Sequence, residues 1–240
     1  MTVITTRPFR VAKNSELAQG IFGLWLEPAD GQPMFDFKPG QFVMLHLLQP
    51  DGNVWAKAAY SIASAPSESQ AAIELAVKLK KDFTHKMSEL KDGDMVNVQG
   101  PYGRFNFPES DVPVVVLAGG IGITPFRGMI REELKRDTGR KVGLVYSCKS
   151  AEAMPYLEEF KSLVAEYPDF EAIFSLTAYA PEGWEGETGR IRPEVLDKLR
   201  AIKQNPDFMV CGSPEFVHDM SDMLEKMGID VTLKLRKEMF

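Results

Sequence analysis

The sequence predicts an antiparallel β-barrel followed by an α/β domain with a parallel sheet. Three observations support this. Short apolar strands separated by turn residues fill the first part of the chain. After about residue 110, strand and helix patterns alternate, as is typical of a parallel sheet covered by helices on both faces. Pro108 and polar residues interrupt the pattern between these two parts, so we expect domains at residues 1–108 and 109–240.

The barrel strands are predicted from alternation of large apolar residues and from the turns between them. Lys38-Pro39-Gly40 and Asp92-Gly93 are turn sequences that each precede a strand. One short helix is expected over Thr84–Leu90, with Thr84 as its N-cap. The predicted strands are Gly20–Glu27, Gln41–Leu48, Tyr60–Ser64, Ala72–Leu79 and Met95–Gln99.

The second part begins with a continuous β-branched run, which indicates a strand buried on both faces. Gly228 suits the left-handed position just past a helix end. The predicted strands are Val112–Ala118, Lys141–Tyr146, Ala172–Leu176, Phe208–Cys211 and Ile229–Leu235. The predicted helices are Pro125–Arg136, Met154–Tyr167, Pro193–Ile202 and Pro214–Met227.

Composition excludes several classes of protein. The chain has 240 residues, of which 44% are hydrophobic and 26% charged, an ordinary globular composition. Its net charge of −6 argues against nucleic acid or an anionic membrane surface as the main partner. With Cys148 and Cys211 as its two cysteines, it holds neither a disulfide scaffold nor a four-cysteine iron–sulfur site. The three histidines are too scattered to predict a metal site.

Targeting and membrane segments are not expected. The first ten residues contain no long apolar stretch, so no signal peptide is predicted. The longest apolar runs are far below the ~20 residues of a membrane helix. We therefore expect a soluble, cytoplasmic protein without membrane insertion.

The strongest local motif is the run GGIGITP, residues 119–125, between a predicted strand and a helix. Glycines let the backbone approach an anion closely. Thr124 can cap the helix and Pro125 fits its first turn, so the exposed N–H groups and the helix dipole favour a pyrophosphate. The spacing differs from GxGxxG, and a tight turn without a ligand is the alternative.

A second motif is AYSIASAP, residues 59–66, on a predicted barrel strand. Tyr60 offers an aromatic face and Ser61 a hydroxyl, which suit a planar heterocycle, although an ordinary strand explains the pattern equally well. A third motif, GPYGRF at residues 100–105, is by itself only a turn.

The order of these motifs resembles the ferredoxin–NADP reductase-like flavoprotein family over essentially the full chain. The matching stretches are AYSIAS, GPYGRF, LAGGIGITP, VYSCKS, CGSPEFV and the final KEMF. The resemblance implies a flavin-binding barrel followed by a Rossmann-like NAD(P)-binding domain. It also implies FAD as cofactor, with FMN as the alternative, and NADPH or NADH as substrate.

The resemblance implies a role for each matching residue. Tyr60 and Ser61 would lie against the flavin ring, with Ser61 near N5 and Glu238 assisting proton exchange there. Phe240 would cover the flavin until nicotinamide displaces it, and Cys211 would lie beside the nicotinamide ring. The implied flavin contacts also include Ile62, Ala63, Val77, Lys78 and Thr84. The implied nicotinamide-nucleotide contacts also include Gly119, Gly120, Gly122, Thr124, Pro125, Lys149 and Gly212.

One position departs from the family pattern. An arginine usually stands two residues before the tyrosine, where it neutralises the flavin phosphate, and this chain has Ala58 there. Lys57 is adjacent, but on a strand its side chain should point to the opposite face. The departure predicts weaker flavin binding, or FMN in place of FAD; FAD remains our expectation.

The coenzyme is left open by the sequence. The predicted second strand of the α/β domain is followed by no acid until Glu152, whereas an acid on the ribose often selects NAD. Lys149, with Arg190, can accept a 2′-phosphate, which favours NADPH; both can equally be solvated surface cations.

The resemblance implies hydride transfer from NAD(P)H to FAD and electron delivery to a separate acceptor. Because the sequence ends at the aromatic residue, no ferredoxin domain is expected in this chain. A ferredoxin, a flavodoxin or an oxygenase component are the candidate acceptors. The alternatives are a non-catalytic electron-transfer or regulatory subunit with weak flavin binding, and an NAD(P)H:flavin reductase.

Overall fold

The computed structural model describes residues 4–199, 201 and 204–240. The chain divides into two compact units, each with its own sheet. The first unit comprises Met1–Asn106 with Thr124–Glu132, and the second comprises Phe107–Ile123 with Glu133–Phe240. No helix among the described residues is long and apolar enough to cross a membrane.

The first unit is built on a six-stranded antiparallel sheet. Its strands are β1 (Thr5–Ala18), β2 (Ile21–Pro28), β3 (Phe42–Leu48), β4 (Val54–Ser61), β5 (Ile73–Lys78) and β6 (Met95–Tyr102). They follow the order β4-β3-β6-β1-β2-β5. A bridge between Ile62, the residue after β4, and Leu75 of β5 brings the two outer strands together and closes the sheet into a barrel. The barrel core lies inside, and helix α1 (Asp82–Ser88) contributes Met87 to it.

The second unit contains a six-stranded parallel sheet. Its strands are β7 (Val114–Gly119), β8 (Val142–Cys148), β9 (Phe170–Leu176), β10 (Glu187–Thr188), β11 (Asp207–Gly212) and β12 (Leu235–Met239). The helices after β7 are α2 (Thr124–Arg136), α3 (Leu157–Glu166), α4 (Pro193–Leu196), α5 (Pro214–Lys226) and α6 (Val231–Lys234).

The strand order β10-β9-β8-β7-β11-β12 reverses direction at β7. In an open parallel sheet, ligands bind outside the carboxyl ends of the strands at such a switch point. The residues that follow β7 and β11 therefore lie where a ligand site is expected.

The predicted fold class is confirmed, with local corrections. The predicted strand Tyr60–Ser64 is instead the end of β4, which stops at Ser61. The predicted strand Ile229–Leu235 is wrong, because Asp230 caps α6 and accepts hydrogen bonds from Thr232; β12 begins only at Leu235. Strand β1, whose residues are mostly exposed or half-buried, was not predicted.

Three predicted helices also have different bounds. The short barrel helix begins at Asp82, two residues before the predicted start. Helix α3 begins at Leu157 because Tyr156 takes a left-handed conformation, with φ of 63°. Helix α4 ends at Leu196, and Ile202, the predicted end, lies outside the described residues. The boundary between residues 108 and 109 stays a prediction.

Candidate active site

The glycine-rich loop follows β7 directly and forms a tight turn. Gly120–Ile123 is one turn of 3-10 helix that runs into α2, and Gly120 has φ of 57°. Only glycine adopts that conformation without strain. The loop thus brings backbone N–H groups to the start of a thirteen-residue helix.

The predicted helix cap at Thr124 is not formed. The N-cap is Ile123, in helical conformation and without a side-chain cap, and Thr124 is the first helical residue. The 3-10 turn leads into the helix, so no extended capping residue is present. Pro125 lies in the first turn, as predicted.

Gly122 lets the loop pass against the end of β11. A Cβ at this position would lie 2.2 Å from the Cys211 carbonyl oxygen and 2.8 Å from the Gly212 Cα atom. Those neighbours are backbone atoms, so no side-chain rotation relieves the contact. The close approach fixes the loop beside Cys211.

Phe216 of α5 covers both neighbouring glycines. A Cβ on Gly119 or on Gly212 would lie 2.7 Å from its ring. Phe216 is part of the motif CGSPEFV, but no role was predicted for it. The sequence signal that could have indicated its position is a glycine at the end of each of two strands, Gly119 and Gly212, which leaves room for a ring.

Cys211 and Glu238 lie side by side. They are paired neighbours on the parallel strands β11 and β12. Cys211 is fully buried, and burial followed by the charge of Glu238 raises the pKa of its thiol. The site therefore keeps Cys211 as a neutral thiol.

Burial also raises the pKa of Glu238. Its Oε2 atom is buried and makes no hydrogen bond within the described part of the chain. An unsatisfied buried carboxyl oxygen costs free energy unless a proton or a ligand group meets it. The carboxyl is thus suited to hold a proton.

Phe240 follows β12, and half of its surface is exposed. Its backbone N–H approaches the Gly212 carbonyl at 3.4 Å, which keeps it near the end of β11. In the second unit, Cys211, Gly212, Glu238 and Phe240 are therefore brought to one edge of the sheet, next to Gly122.

In the barrel, Tyr60 and Ser61 end strand β4. Tyr60 is half-buried, and burial raises the pKa of its phenol to about 12, so the hydroxyl remains protonated. Ser61 pairs with Phe42 of β3 and is half-buried. The two residues present a ring and a hydroxyl at the end of one strand.

The next two residues turn into the barrel. Ile62 and Ala63 are fully buried, and their N–H groups donate to the carbonyls of Gln41 and Glu74. The Ala63 carbonyl accepts a hydrogen bond from Arg127 at 3.2 Å. Whether Ile62 and Ala63 contact a ligand stays a prediction.

Thr84 is the third residue of α1, so the prediction that it is the N-cap is wrong. The N-cap is Lys81. The Thr84 hydroxyl accepts from the N–H groups of Lys80 and Lys81 and donates to the Lys81 carbonyl. Thr84 stabilises this turn from inside the helix.

Two further predicted flavin contacts lie at the end of β5. Val77 is buried in the barrel core, whereas Lys78, the last residue of the strand, is exposed. The side chain of Lys78 is therefore accessible to an anion, and that of Val77 is part of the core.

Lys149 and Arg190 are both exposed. The Lys149 carbonyl accepts hydrogen bonds from the N–H groups of Ala178 and Tyr179, which fixes the backbone after β8. Arg190 pairs with Asp219 at 3.1 Å and with Glu215 at 3.4 Å. The positive charge of Arg190 is thus partly neutralised by two carboxylates. Whether Arg190 accepts a 2′-phosphate stays a prediction.

Both cysteines are free and buried. Within the described residues, no group of histidine, cysteine and acidic side chains could hold a metal ion.

Two family models match the chain, one after the other along the sequence. The Oxidoreductase FAD-binding domain matches residues 9–107, and the Oxidoreductase NAD-binding domain matches residues 116–222. Together they cover most of both units.

Curated relatives agree with this assignment. One subunit of the Na(+)-translocating NADH-quinone reductase of Neisseria meningitidis is 32% identical over 188 residues, covering 72% of this chain and 46% of the relative. The flavohemoprotein of Bordetella pertussis is 28% identical over 239 residues, covering 93% of this chain and 58% of the relative. The chain thus spans about half the length of these relatives.

Solved structures share the fold. The FAD/NAD-binding domain of a nitric oxide dioxygenase from Vibrio cholerae has a TM-score of 0.86 and 23% identity, covering 98% of both chains. A ferredoxin NADP+ reductase from Neisseria gonorrhoeae with bound FAD and NADP has a TM-score of 0.75 and 23% identity, also covering 98% of both. With the two family models in order, and both sheets as expected, the chain belongs to the ferredoxin–NADP reductase-like family of FAD- and NAD(P)-dependent oxidoreductases.

Proposed function

We propose that this chain transfers hydride from NAD(P)H to bound FAD and delivers the electrons to a separate acceptor protein. The observation that carries the proposal is the Cys211–Glu238 pair beside Gly122 at the switch point of the parallel sheet. A half-buried carboxyl with one buried oxygen and a neutral thiol at this position suit a nicotinamide ring, and the adjacent loop suits a pyrophosphate.

FAD, when bound, supplies the redox chemistry. We propose that Tyr60 and Ser61 hold the ring, with the Ser61 hydroxyl as hydrogen-bond donor. The half-buried Tyr60 ring at the end of β4 supports this fit. Lys78 and the turn at Thr84, with the neighbouring Ile62, Ala63 and Val77, complete the proposed flavin contacts.

For the nicotinamide nucleotide, we propose that the loop residues bind the pyrophosphate through backbone N–H groups. The start of α2 adds its dipole to this interaction. Glu238 holds and releases a proton, Cys211 and Gly212 flank the nicotinamide, and Phe240 competes with it as a mobile ring. The proposed N–H donors to the pyrophosphate are those of Gly119, Gly120, Gly122 and Thr124. Pro125 has no N–H, so its proposed contact comes from its ring in the first turn of α2.

The choice of coenzyme depends on Lys149. Its exposed position after β8 supports NADPH. The two carboxylates that pair with Arg190 weaken that support, because they offset a second cation. We propose NADPH with Lys149 as the residue nearest its 2′-phosphate.

The proposed acceptor is a ferredoxin, a flavodoxin or an oxygenase component. Relatives of this chain include one component of an NADH-quinone reductase and a flavohemoprotein, which supports a role within an electron-transfer system. We propose that the domains are residues 1–108 for flavin and 109–240 for nicotinamide nucleotide.

The test is a visible absorption spectrum of the purified protein before and after anaerobic addition of NADPH, and separately of NADH. Flavin bands that bleach with one nucleotide support the proposal and identify the coenzyme. A colourless protein that gains no bands with FAD or FMN contradicts it and supports a non-catalytic subunit. Flavin that dissociates at each turnover supports a flavin reductase instead.

A further inference from the structure

The first part of α2 packs on the barrel, and Thr124–Glu132 belongs to the first unit. The helix backbone comes close to the segment that follows β4. A Cβ at Gly128 would lie 2.8 Å from the Ser64 carbonyl oxygen and 3.3 Å from that of Ala63. Glycine inside a helix costs stability relative to alanine, and here its lack of a side chain permits this approach.

Arg127, the neighbour of Gly128, fastens this contact. Its Nη1 atom donates a hydrogen bond to the Ala63 carbonyl at 3.2 Å. The same atom lies 3.4 Å from Oε2 of Glu74 and 3.2 Å from Oε2 of Glu68. The side chains of Arg127 and Glu74 are 12% and 3% exposed, so solvent ions screen this pair little.

These acceptors lie at the seam where the barrel closes. Ile62 bridges Leu75, the residue after Glu74 on β5. The Ala63 N–H group donates to the Glu74 carbonyl at 2.8 Å. Arg127 therefore contacts both edges of the seam, one through a backbone carbonyl and the other through a buried carboxylate.

Two further contacts join α2 to the same segment. Arg131 pairs with Glu68, and the Ser67 N–H group donates to a Glu132 carboxylate oxygen at 3.0 Å. The Arg131 side chain is 34% exposed, and exposed ion pairs contribute little. Arg127 is thus the more buried of the two arginines that hold α2 to the barrel seam.

We propose that Arg127 is a positioning residue for hydride transfer. The inference rests on the proposed function, in which Tyr60 and Ser61 hold the flavin ring and the start of α2 binds the pyrophosphate of NAD(P)H. Ala63 follows Ser61 by two residues, and Arg127 follows Thr124 by three. One side chain therefore links the flavin segment to the pyrophosphate end of the helix. It acts through these two segments and not by contact with either ligand.

The physical basis is the dependence of hydride transfer on geometry. A misplacement of about 1 Å between reacting groups can lower a rate about 100-fold. The affinity for each ligand depends instead on the groups that touch it, which Arg127 leaves in place. Loss of Arg127 therefore lowers the rate and spares the affinities, whereas loss of a merely structural contact lowers stability and ligand binding together.

The test compares Arg127→Met and Arg127→Lys with the wild type as FAD-loaded proteins, by anaerobic stopped-flow absorbance over a range of NAD(P)H concentrations. Arg127→Met should lower the limiting rate of flavin reduction about 10- to 100-fold, with dissociation constants for FAD and NAD(P)H within about twofold of wild type. Arg127→Lys, which keeps a charge and donors, should recover part of the rate. The charge-transfer absorbance between flavin and nicotinamide should weaken in Arg127→Met, because it depends on the stacking of the two rings.

Two more variants cover the case in which Arg127→Met does not fold. Removing one partner of a buried pair destabilises a protein, because it leaves the other charge buried. Arg127→Met combined with Glu74→Gln removes both charges. Gly128→Ala disturbs the same contact without changing any charge, because its Cβ meets the Ser64 carbonyl. Both variants should lose rate and keep their affinities for FAD and NAD(P)H.

Arg7→Met is the matched control. Arg7 lies in the same unit, and its side chain is 16% exposed. It also binds a carboxylate and backbone carbonyls, those of Asp30, Gln32 and Pro33. Its replacement should lower the free energy of unfolding, measured by urea denaturation, and leave flavin reduction at the wild-type rate.

A wild-type rate in the folded Arg127 variants or in Gly128→Ala would overturn the inference. A loss of rate that Arg7→Met shares, or one that comes with equally weakened binding of FAD or NAD(P)H, would also overturn it. In these cases a wild-type protein that NAD(P)H reduces leaves the proposed function standing. If the wild-type protein binds no flavin, both fail.

Discussion

Replacing Gly122 with alanine should disable nucleotide binding through a backbone collision. The new Cβ would lie 2.2 Å from the Cys211 carbonyl oxygen, about 1.2 Å short of ordinary contact, which begins near 3.4 Å. The Cβ is held rigidly by the backbone of the loop, and the atoms that it meets belong to the backbone of β11. The loop or the end of β11 must therefore move by about 1 Å. Overpacking of this kind costs about 1–3 kcal/mol of stability.

The functional loss should exceed the stability loss. A displacement of about 1 Å in a positioning element can lower a rate about 100-fold. We expect Gly122→Ala to raise the dissociation constant for NAD(P)H and to lower the rate of flavin reduction by about that factor. Urea denaturation gives the free energy of unfolding, and anaerobic stopped-flow absorbance gives the rate and the affinity.

Gly139→Ala is a matched control for destabilisation. Gly139 has φ of 76° and nothing within 4 Å of an added Cβ, so the cost is backbone strain of about 1–2 kcal/mol without a collision. This variant should bind NAD(P)H normally. If Gly122→Ala also binds and reacts as wild type does, the loop does not hold the nucleotide as argued.

Three further variants test individual side chains. Ser61→Ala should lower the rate of flavin reduction by about 100-fold with little change in NAD(P)H affinity, measured by stopped-flow; a wild-type rate would refute its role. Phe240→Ala should tighten nucleotide binding about fivefold, about 1 kcal/mol, because a competing ring is lost; unchanged affinity in a titration would count against the competition. Burial raises the folded-state pKa of Glu238 above its unfolded value, so its contribution to stability is present at low pH and is lost as pH rises from about 4 through the folded pKa. Glu238→Gln should remove that loss of stability. Urea denaturation across this pH range gives the free energy of unfolding of both proteins, and an equal slope of that free energy against pH would contradict the argument.

Local pattern predicted the four inner strands of the parallel sheet well, whereas β10 was not predicted and the strand predicted at Ile229–Leu235 was wrong. The run that became β7 is apolar throughout, so burial on both faces follows from composition alone. Pro214 and Gly228 bracket α5 with residues whose backbone preferences act locally. Such elements need no partner to be recognised.

Strand pairing and a side-chain cap decided the elements that the sequence did not predict correctly. Residues of β1 become a strand because β2 and β6 hydrogen-bond to it on both sides, although few of its side chains are buried. The segment after Gly228 continues the apolar pattern, but the Asp230 side chain caps a helical turn there before β12 begins. The spacing of apolar residues along the chain predicts neither the pairing of β1 with its neighbours nor the cap at Asp230.

For the site, the motifs alone predicted the candidate residues, while the tertiary structure decided their environment. Cys211 and Glu238 are 27 positions apart, and only the parallel pairing of β11 with β12 makes them neighbours. The raised pKa values of both follow from that burial and proximity, which are properties of the folded chain. The pairing of Arg127 with Glu74 likewise depends on the folded chain, because only the packing of α2 on the barrel brings a helix residue beside a distant strand.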